Sequence, residues 1–196
     1  MEGIVLAAGG STRFGAQKLL APVAGRAVVR WTVEHALASR VGAVHVVLGR
    51  DGDAVRAALA GLPVRFVESA RWREGLSASL HAGVRGVAAD ADGAVILLGD
   101  QPTVDHAVID ALLDAFAAGA RGVVAATYRG ERGNPVLFGA PLFPELLATT
   151  GDRGAREVIA RDPSRVTLVE MGRAMPRDVD TVDDLAAVER ELAAGG

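Results

Sequence analysis

Residues 6–19 read Leu-Ala-Ala-Gly-Gly-Ser-Thr-Arg-Phe-Gly-Ala-Gln-Lys-Leu and come directly after a short apolar run that begins at residue 3. The apolar run is typical of a buried strand, and the glycines after it predict a tight loop at the end of that strand. Glycine permits positive φ and lets the backbone come close to a ligand, and three glycines occur here: Gly9, Gly10 and Gly15. Successive free N–H groups in such a turn form a concave anion site. The segment therefore predicts a strand followed by a phosphate-binding loop.

Two cationic side chains accompany this loop. Arg13 and Lys18 lie five positions apart and provide two donors for a phosphate chain. The loop has neither the Gly-x4-Gly-Lys-Ser/Thr pattern nor the Gly-x-Gly-x-x-Gly pattern of the common nucleotide-binding loops. The sequence thus predicts triphosphate binding by a different arrangement of the same chemical groups.

Further along the chain, apolar runs alternate with helical patterns. The strand-like runs lie at residues 3–7, 43–48, 64–67, 94–98 and 122–126, and the helical patterns at residues 28–38, 53–59, 76–88 and 104–117. Near-continuous apolar strands are typical of parallel sheets that are buried on both faces, and the alternation implies right-handed crossovers. We therefore predict an α/β fold, a Rossmann-like three-layer α/β/α sandwich with a mostly parallel sheet. After about residue 129 the alternation loosens until a last helix from about residue 181.

A carboxylate follows the apolar run at residues 94–98, in the segment Gly99-Asp100-Gln101-Pro102. Open α/β sheets bind ligands outside the carboxyl ends of their strands, so Asp100 and the glycine loop are expected at one edge. Magnesium prefers one or two carboxylates together with phosphate oxygens and water. Asp100 is therefore predicted to hold Mg²⁺. The competing interpretation is a helix cap, but Thr103 is predicted to cap the helix that begins at residue 104.

The loop resembles the signature Leu-Ala-Ala-Gly-x-Ser-x-Arg-Met-Gly-x-x-Lys-Leu of the nucleotidyltransferases similar to molybdenum cofactor cytidylyltransferase and its guanylyl relatives. Phe14 stands where that family has methionine, and the resemblance extends over nearly the whole chain. It implies that Arg13 holds the leaving pyrophosphate, Lys18 stabilises charge near the α-phosphate and Asp100 holds magnesium. It also implies a set of nucleotide-binding positions in the loop: Ala7, Ala8, Gly9, Gly10, Ser11 and Gly15.

A second metal ligand is implied by the family's Asp-x-Asp-Thr segment, found here at residues 178–181. The resemblance makes Asp180 the candidate ligand, with Asp178 the weaker choice. Thr181 and Asp184, three positions apart, form a capping-box pattern that accounts for the start of the last helix. Asp180 precedes this box and is not explained by it.

Three further segments also match the family. In the segment that starts the helical pattern at residue 76, Ser77 or Ser79 is implied to donate to the base or ribose, although Ser77 fits a helix cap equally well. Asn134 replaces a family histidine in Gly-Asn-Pro-Val-Leu-Phe, where it can hydrogen-bond an acceptor but cannot carry charge. In Gly-Asp-Arg-Gly-Ala-Arg at residues 151–156, Arg153 or Arg156 is implied to meet the acceptor phosphate.

Asp152 in that same segment is predicted to cap the helix that follows it. The chain is expected to form one domain, with a nucleotide-binding part at about residues 1–105 and an acceptor-binding part at about residues 106–196.

The implied reaction joins CMP from CTP to the phosphate of the molybdopterin cofactor and releases pyrophosphate. The cytidylyl members have Ala-Ala-Gly where the guanylyl members have Ala-Gly-Gly, and Ala8 places a methyl group beside the expected base. Such a difference contributes only ~1–3 kcal/mol of discrimination. The alternatives are a guanylyltransferase, another small-molecule nucleotidyltransferase for a sugar or polyol phosphate, and a nucleotide-binding regulatory module without turnover. A molybdenum hydroxylase or its maturation chaperone is the expected protein partner.

The composition excludes several other classes of protein. Half of the 196 residues are apolar and 23% are charged, as in a folded domain. The net charge of −3 argues against non-specific nucleic-acid binding. The absence of cysteine excludes disulfides and thiolate metal sites. No apolar run approaches the ~20 residues of a membrane span, and no charged leader precedes the first strand, so a cytoplasmic protein is expected.

Overall fold

The computed structural model describes residues 1–9, 17–120 and 122–194. Nine strands lie in these residues: β1 (Glu2–Ala7), β2 (Pro22–Val23), β3 (Arg26–Ala27), β4 (Val44–Leu48), β5 (Arg65–Glu68), β6 (Gly93–Leu98), β7 (Val123–Tyr128), β8 (Glu131–Gly139) and β9 (Val166–Glu170). Seven of them form one sheet in the order β5-β4-β1-β6-β8-β7-β9, and β2 pairs with β3.

Strand β8 runs against its neighbours in an otherwise parallel sheet, as far as the described residues show. It is antiparallel to β6 on one side and to β7 on the other, whereas the pairs β1–β4, β1–β6, β4–β5 and β7–β9 are parallel. The predicted mostly parallel sheet is confirmed. Strands β8 and β9 were not predicted, because β8 contains glycine and proline, which are depleted in strands, and β9 is largely exposed.

The described residues contain seven α-helices: α1 (Val28–Ala38), α2 (Gly52–Ala58), α3 (Leu76–Gly86), α4 (His106–Ala117), α5 (Phe143–Leu147), α6 (Ala155–Arg161) and α7 (Val182–Ala194). Side chains alternate across β1, so Val5 lies in one core cluster with residues of α1 and α4. Ile4 lies in a second core cluster with residues of α3, α5 and α6. The three-layer α/β/α sandwich is therefore confirmed. In the described part of the chain, no helix is long and apolar enough to cross a membrane.

Two of the predicted helix caps are wrong and one is confirmed. Helix α4 begins at His106, and its cap is Asp105, which accepts a hydrogen bond from the backbone N–H of Val108 at 3.1 Å. Thr103 does not cap this helix. The reason is that the chain after Pro102 makes one more turn before the helix starts, and aspartate is a strong cap.

Helix α6 follows Gly154, which provides no side-chain cap. Asp152 was predicted to cap this helix, but its Oδ1 instead accepts from the N–H of Leu76 at 3.3 Å, at the start of α3. The last helix has the predicted capping box: the N–H of Thr181 donates to Asp184 at 2.8 Å, and the N–H of Asp184 donates to Thr181 at 3.2 Å.

An extended segment, residues 171–181, connects β9 to α7 and is called the strap below. Near its start, the Arg173 guanidinium donates to Asp105 and to the carbonyl of Thr103, at 2.6 Å in each case. Near its end, the N–H of Val179 donates to the carbonyl of Asp100 at 2.9 Å. The strap therefore runs from β9 across to β6, along the edge where these parallel strands end.

Candidate active site

The ends of β1 and β6 meet at the predicted edge of the sheet. Leu6 pairs with Leu98 in parallel register, and the N–H of Gly99 donates to the carbonyl of Leu6 at 3.0 Å. A Cβ on Gly99 would lie 3.0 Å from that carbonyl oxygen, so a glycine allows this close approach. Asp100 follows directly and is thereby placed beside the start of the glycine loop.

The loop itself is described only at its two ends. Ala7 and Ala8 are buried and Gly9 is exposed, where β1 gives way to the loop. Gly10, Ser11, Arg13 and Gly15 lie outside the described residues, so their predicted roles stay predictions. The chain is described again from Gln17, immediately before Lys18.

Lys18 lies between two carboxylates at this edge. Its Nζ donates to Oδ2 of Asp100 at 2.6 Å and to Oδ1 of Asp180 at 2.7 Å. The Lys18 and Asp100 side chains are mostly buried, while Asp180 is 45% exposed. The structure thus brings together three residues from positions 18, 100 and 180, each of which was predicted to belong to the site.

Asp180 reaches this place because of three contacts around it. The backbone hydrogen bond from Val179 to Asp100 fixes the adjacent peptide. On the other side of Val179, Asp178 accepts a 2.6 Å hydrogen bond from Nε2 of Gln101. The N–H of Asp180 donates to Asp184 of the capping box at 3.2 Å. Asp184 of the capping box that starts the last helix therefore also holds the backbone of Asp180.

Burial and neighbouring carboxylates have opposite effects on the pKa of Lys18. Burial alone would lower the pKa of Lys18, but the carboxylates of Asp100 and Asp180 outweigh it and raise this pKa, so the ammonium keeps its charge. Burial, followed by the negative charge of Asp100, raises the pKa of Asp178. Among the described residues, two carboxylates thus contact the Lys18 ammonium, and a third, Asp178, lies close enough to be affected by their charges.

The donor set at this edge suits a hard divalent cation. Two carboxylate oxygens converge on one cationic atom, and oxygen ligands are those preferred by magnesium and manganese. Among the described residues no group of three or more His, Cys, Asp or Glu side chains forms a metal cluster. Two carboxylates with the remaining positions left to phosphate and water is nevertheless a usual arrangement for a metal bound together with a nucleotide.

The segments around Ser77 and residues 151–156 form a second group beside the start of α3. The N–H of Ser77 donates to the carbonyl of Gly151 at 3.0 Å, and Asp152 binds the N–H of Leu76. Gly75 has φ +105°, and a Cβ there would lie 2.9 Å from Gly151. Two motifs that are about 75 residues apart in sequence thus lie against each other.

Ser77 lies inside α3 and does not cap it, because Gly75 occupies the cap position. The Ser77 hydroxyl is buried and has no hydrogen-bond partner in the described part of the chain. It lines a cavity of about 310 Å³ between α3 and residues 147–151. Ser79, two positions on, is also buried and belongs to the same helix. Of the two predicted serines, Ser77 is therefore the one whose hydroxyl has no partner among the described residues and lines this cavity.

The predicted acceptor-binding residues lie on two different elements. Asn134 belongs to β8, and its carbonyl accepts a 2.6 Å hydrogen bond from the hydroxyl of Tyr128. It lies two residues before Val136, which pairs with Ile96, so it is near the end of β6 that leads to Asp100. Arg153 precedes α6 and Arg156 lies in it; both are exposed and form no ion pair with any described residue.

Ala8 is buried, and it packs against Gly49 at the end of β4. A Cβ on Gly49 would lie only 2.7 Å from the methyl carbon of Ala8. The methyl group thus fills space between β1 and β4. Any influence of Ala8 on the choice of base would be exerted through the position of this backbone.

The MobA-like NTP transferase domain matches residues 3–166. The chain belongs to this family. As a member of it, the chain is an enzyme of the nucleotidyltransferase type. The match includes Lys18 and Asp100, and it ends before the strap that carries Asp178 and Asp180.

Two curated relatives span nearly the same length as this chain. Nicotine blue oxidoreductase of Paenarthrobacter nicotinovorans is 31% identical over 195 residues, which cover 94% of each chain. The purine catabolism protein PucB of Bacillus subtilis is 29% identical and covers 97% of each chain. One of these relatives is named as an oxidoreductase, so proteins related in sequence to this chain do not all carry a transferase name.

Solved structures agree with the fold. Rv0371c of Mycobacterium tuberculosis superposes with a TM-score of 0.85 at 31% identity, covering 96% of each chain, and its complex with manganese superposes at 0.82 and 30% identity, covering 96% of this chain and 97% of that one. A nucleotidyl transferase from Methanothermobacter superposes at 0.83 and 27% identity, covering 100% of this chain and 98% of that one. The structure of Rv0371c, which is similar to this chain, has therefore been solved in complex with a divalent metal ion, manganese.

Sequence reasoning missed the parts of the site that hold the strap. Gln101 belongs to the segment that follows β6, but its hydrogen bond to Asp178 was not predicted. The ion pair between Arg173 and Asp105 was not predicted either. These contacts join residues about 70 to 80 positions apart, and a single sequence carries no local pattern that reports such pairing.

Proposed function

We propose that the chain transfers CMP from CTP to the phosphate of a molybdopterin-type cofactor and releases pyrophosphate. The observation that carries the proposal is the convergence of Lys18, Asp100 and Asp180 at the strand ends beside the glycine loop. A regulatory module that only binds nucleotide has no need for two carboxylates and a lysine at one point. The choice of CTP and of a pterin acceptor rests on the resemblance of the loop and of residues 151–156.

In this proposal a divalent metal ion, expected to be magnesium, is held by Asp100 and Asp180. When bound, it would neutralise and orient the phosphate chain of the nucleotide. Magnesium fits these two carboxylates because their oxygens already converge on one cationic atom, the Nζ of Lys18.

The reaction needs positioning and charge stabilisation more than acid–base chemistry. A phosphate oxygen of the acceptor attacks the α-phosphorus, the bond from that phosphorus to the bridging oxygen breaks, and pyrophosphate leaves. The attacking phosphate is already ionised, so no general base is required. Lys18 would stabilise the charge that develops near the α-phosphate, and Arg13 would hold the leaving pyrophosphate with its planar guanidinium.

The nucleotide and the acceptor would lie on different parts of the edge. Residues 1–105 would bind the nucleotide through Ala7, Ala8, Gly9, Gly10, Ser11, Gly15, Ser77 and Ser79. Residues 106–196 would bind the acceptor through Asn134, Arg153 and Arg156. The two exposed arginines form no ion pair with the described residues, which leaves their guanidinium groups available for an acceptor phosphate. A molybdenum hydroxylase or its maturation chaperone would receive the product.

The first experiment is calorimetric titration of CTP, GTP, ATP and UTP, each with and without magnesium. Magnesium-dependent binding of CTP that is lost in Asp100→Ala is the expected result. A preference for GTP would keep the reaction type and replace the base. Failure of every nucleotide to bind, also in the presence of a pterin phosphate, would contradict the proposal.

Turnover is then measured as pyrophosphate release with the preferred nucleotide and the molybdopterin cofactor as acceptor. A sugar phosphate and a polyol phosphate serve as alternative acceptors. Because one relative is named as an oxidoreductase, a parallel assay follows the oxidation of a reduced nicotinamide in the absence of nucleoside triphosphate. Pyrophosphate release only with the pterin acceptor supports the proposal, whereas release only with a sugar or polyol phosphate assigns the alternative substrate class.

A further inference from the structure

Lys18 is the sole lysine in the sequence, in which every other strongly basic side chain is an arginine. Its ammonium lies 2.6 Å from Asp100 and 2.7 Å from Asp180, residues that are 82 and 162 positions away along the chain. An ammonium is a compact point charge with three rotatable donors, whereas a guanidinium is a flat fork. Lysine therefore suits a position in which one small cation must contact two converging carboxylates.

The charge of this trio does not balance. Two carboxylates and one ammonium sum to −1 in this trio. A divalent cation in the same place would balance the two carboxylates. Two cations cannot share that place, because each would lie within a few ångströms of the other.

We propose that Lys18 is an internal competitor for the divalent metal: its ammonium occupies the cation position between Asp100 and Asp180 until a metal displaces it toward the phosphate chain. This inference rests on the proposed function, because it assumes that the two aspartates are the metal ligands.

The local structure permits such a displacement. Lys18 begins a single 3-10 turn, Lys18–Leu20, whose Leu19 is buried against the core. The backbone is thereby held, while the four-carbon side chain can rotate about its own bonds. The movement needs no change in the sheet or in the strap.

The exchange makes metal and nucleotide bind with positive coupling. Metal alone must break the ion pairs of Lys18 with Asp100 and Asp180, so metal alone binds weakly. A triphosphate offers the displaced ammonium a new anionic partner and offers the metal further oxygen ligands. Each ligand thus strengthens the binding of the other, and the effect is reciprocal.

The test measures binding of Mn²⁺, without nucleotide, by the electron paramagnetic resonance signal of the free ion. Lys18→Met keeps an unbranched side chain only one heavy atom shorter and removes the charge. The variant is expected to bind Mn²⁺ roughly 5- to 150-fold more tightly than the wild type, the usual range for coupled sites. A non-hydrolysable nucleoside triphosphate analogue should improve Mn²⁺ affinity more in the wild type than in Lys18→Met.

The matched control is Arg40→Met. Arg40 is also a cation between two carboxylates, Asp110 and Asp114, but it lies on the surface far from the strap in sequence and forms no contact with Asp100 or Asp180 in the described residues. Mn²⁺ binding should be unchanged in this variant. Tighter binding in both variants would show a general effect of net charge and would overturn the proposal.

A second measurement uses the wild-type chain and so does not depend on the folding of a variant. With ¹⁵N-labelled lysine, the side-chain signal comes from Lys18 alone, and its ion pairs should slow acylation of its amine. Added Mg²⁺ is expected to shift this signal and to raise the acylation rate together. If saturating Mg²⁺ changes neither the ¹⁵N signal of Lys18 nor the acylation rate of its amine, the proposed exchange is wrong.

The outcomes separate this inference from the proposed function. If Asp100→Asn and Asp180→Asn lose Mn²⁺ binding while Lys18→Met gains none, the metal site stands and the exchange is wrong. If neither aspartate variant affects Mn²⁺ binding, the metal site itself is wrong.

Discussion

Strand β1 has a carboxylate–cation cluster near each of its ends, and the two clusters differ in what they leave available. At the amino end, Glu2 accepts hydrogen bonds from Nε2 of His45 at 2.8 Å and from the N–H of Ala88 at 3.0 Å, with Arg65 at 3.9 Å. At the carboxyl end, Lys18 serves both Asp100 and Asp180. Among the described residues, the first cluster has two hydrogen-bond donors and an arginine around one acid, and the second has two acids that contact Lys18.

This difference distinguishes the Glu2 cluster, a structural ion pair, from the Asp100 and Asp180 cluster, which can exchange its ligands. The Glu2 side chain is 12% exposed, its Oε2 accepts both hydrogen bonds and its Oε1 lies 3.9 Å from Arg65, so a further ligand would have to displace protein groups. Asp180 is 45% exposed and keeps lone pairs that face solvent. Buried ionised groups alone therefore do not distinguish the two clusters; the exposed fraction of Asp180 does.

The largest effect is expected from Asp100→Ala compared with Glu2→Gln. Loss of Asp100 should abolish metal-dependent turnover, because the nucleotide's phosphate chain is then neither neutralised nor oriented. Glu2→Gln should leave kcat/KM unchanged. Both are measured as pyrophosphate release, with circular dichroism to show that the fold is intact. Equal losses in the two variants would remove the distinction drawn between the clusters.

Arg13→Ala is expected to lower the turnover rate by about 10³- to 10⁵-fold, by analogy with arginines that stabilise phosphate transfer. Arg13 lies outside the described residues, so this prediction comes from the sequence alone. Single-turnover kinetics with the preferred nucleotide measure it. A rate near that of the wild type would exclude Arg13 from the carboxyl-edge site.

Glu2→Gln is expected to lower the stability of the fold without changing turnover. The substitution weakens charge-assisted hydrogen bonds to His45 and Ala88 in a buried place, so the free energy of unfolding should fall by about 1–3 kcal/mol. Denaturant unfolding followed by circular dichroism measures this change. A variant as stable as the wild type would show that the amino-end cluster is not the structural one.

The loss of stability at acidic pH provides a further test of the role of Glu2. Burial alone would raise the pKa of Glu2, but the N–H of Ala88, the hydrogen bond from His45 and the charges of His45 and Arg65 together lower it below 4.5. A carboxyl whose pKa is lowered by folding contributes stability above its unfolded pKa, and this contribution is lost as the pH falls through the folded value. The wild type should therefore lose more stability than Glu2→Gln between pH 5 and acid conditions. If urea titrations show the same loss of unfolding free energy in the wild type and in Glu2→Gln over this pH range, the prediction is wrong.

The smallest effect is expected at Glu170, which anchors the start of the strap. Its carboxylate accepts from the N–H groups of Gly130, Arg129 and Gly172, and these bonds hold its pKa at about 2. Glu170→Gln should speed hydrogen exchange at these three amides and reduce metal affinity slightly, because the strap carries Asp180. As the pH falls from 4.5 toward 2, the wild type should approach the variant. Unchanged exchange would mean that the strap is held by its other contacts.

The sequence predicted the first half of the chain well, because its signals there are local. The pattern at residues 28–38 coincides with α1, and the apolar runs coincide with β1, β4 and β6 within one residue. Near-continuous apolar strands and amphipathic helices follow directly from burial. The positions of Lys18 and Asp100 at one edge followed from the rule that parallel strands end together.

The second half was predicted less well, because it depends on contacts between distant residues. Strand β8 lies between β6 and β7 with Asn134-Pro135 in its first half, so its pairing partners determine it more than its composition does. The caps at Asp105 and Asp152 were missed for a related reason. Asp152 binds the start of α3, 76 residues earlier, and no local pattern distinguishes that bond from a cap on the next helix.

The long separations within the carboxyl-edge cluster also bear on how the protein is made. During synthesis Lys18 and Asp100 emerge from the ribosome first, and Asp180 follows about 80 residues later. At ~5–20 residues per second this delay is on the order of ten seconds. A nascent chain can thus form β1, β4 and β6 while the site still lacks one carboxylate. The ability to bind the metal would then arise only as the last helix is released.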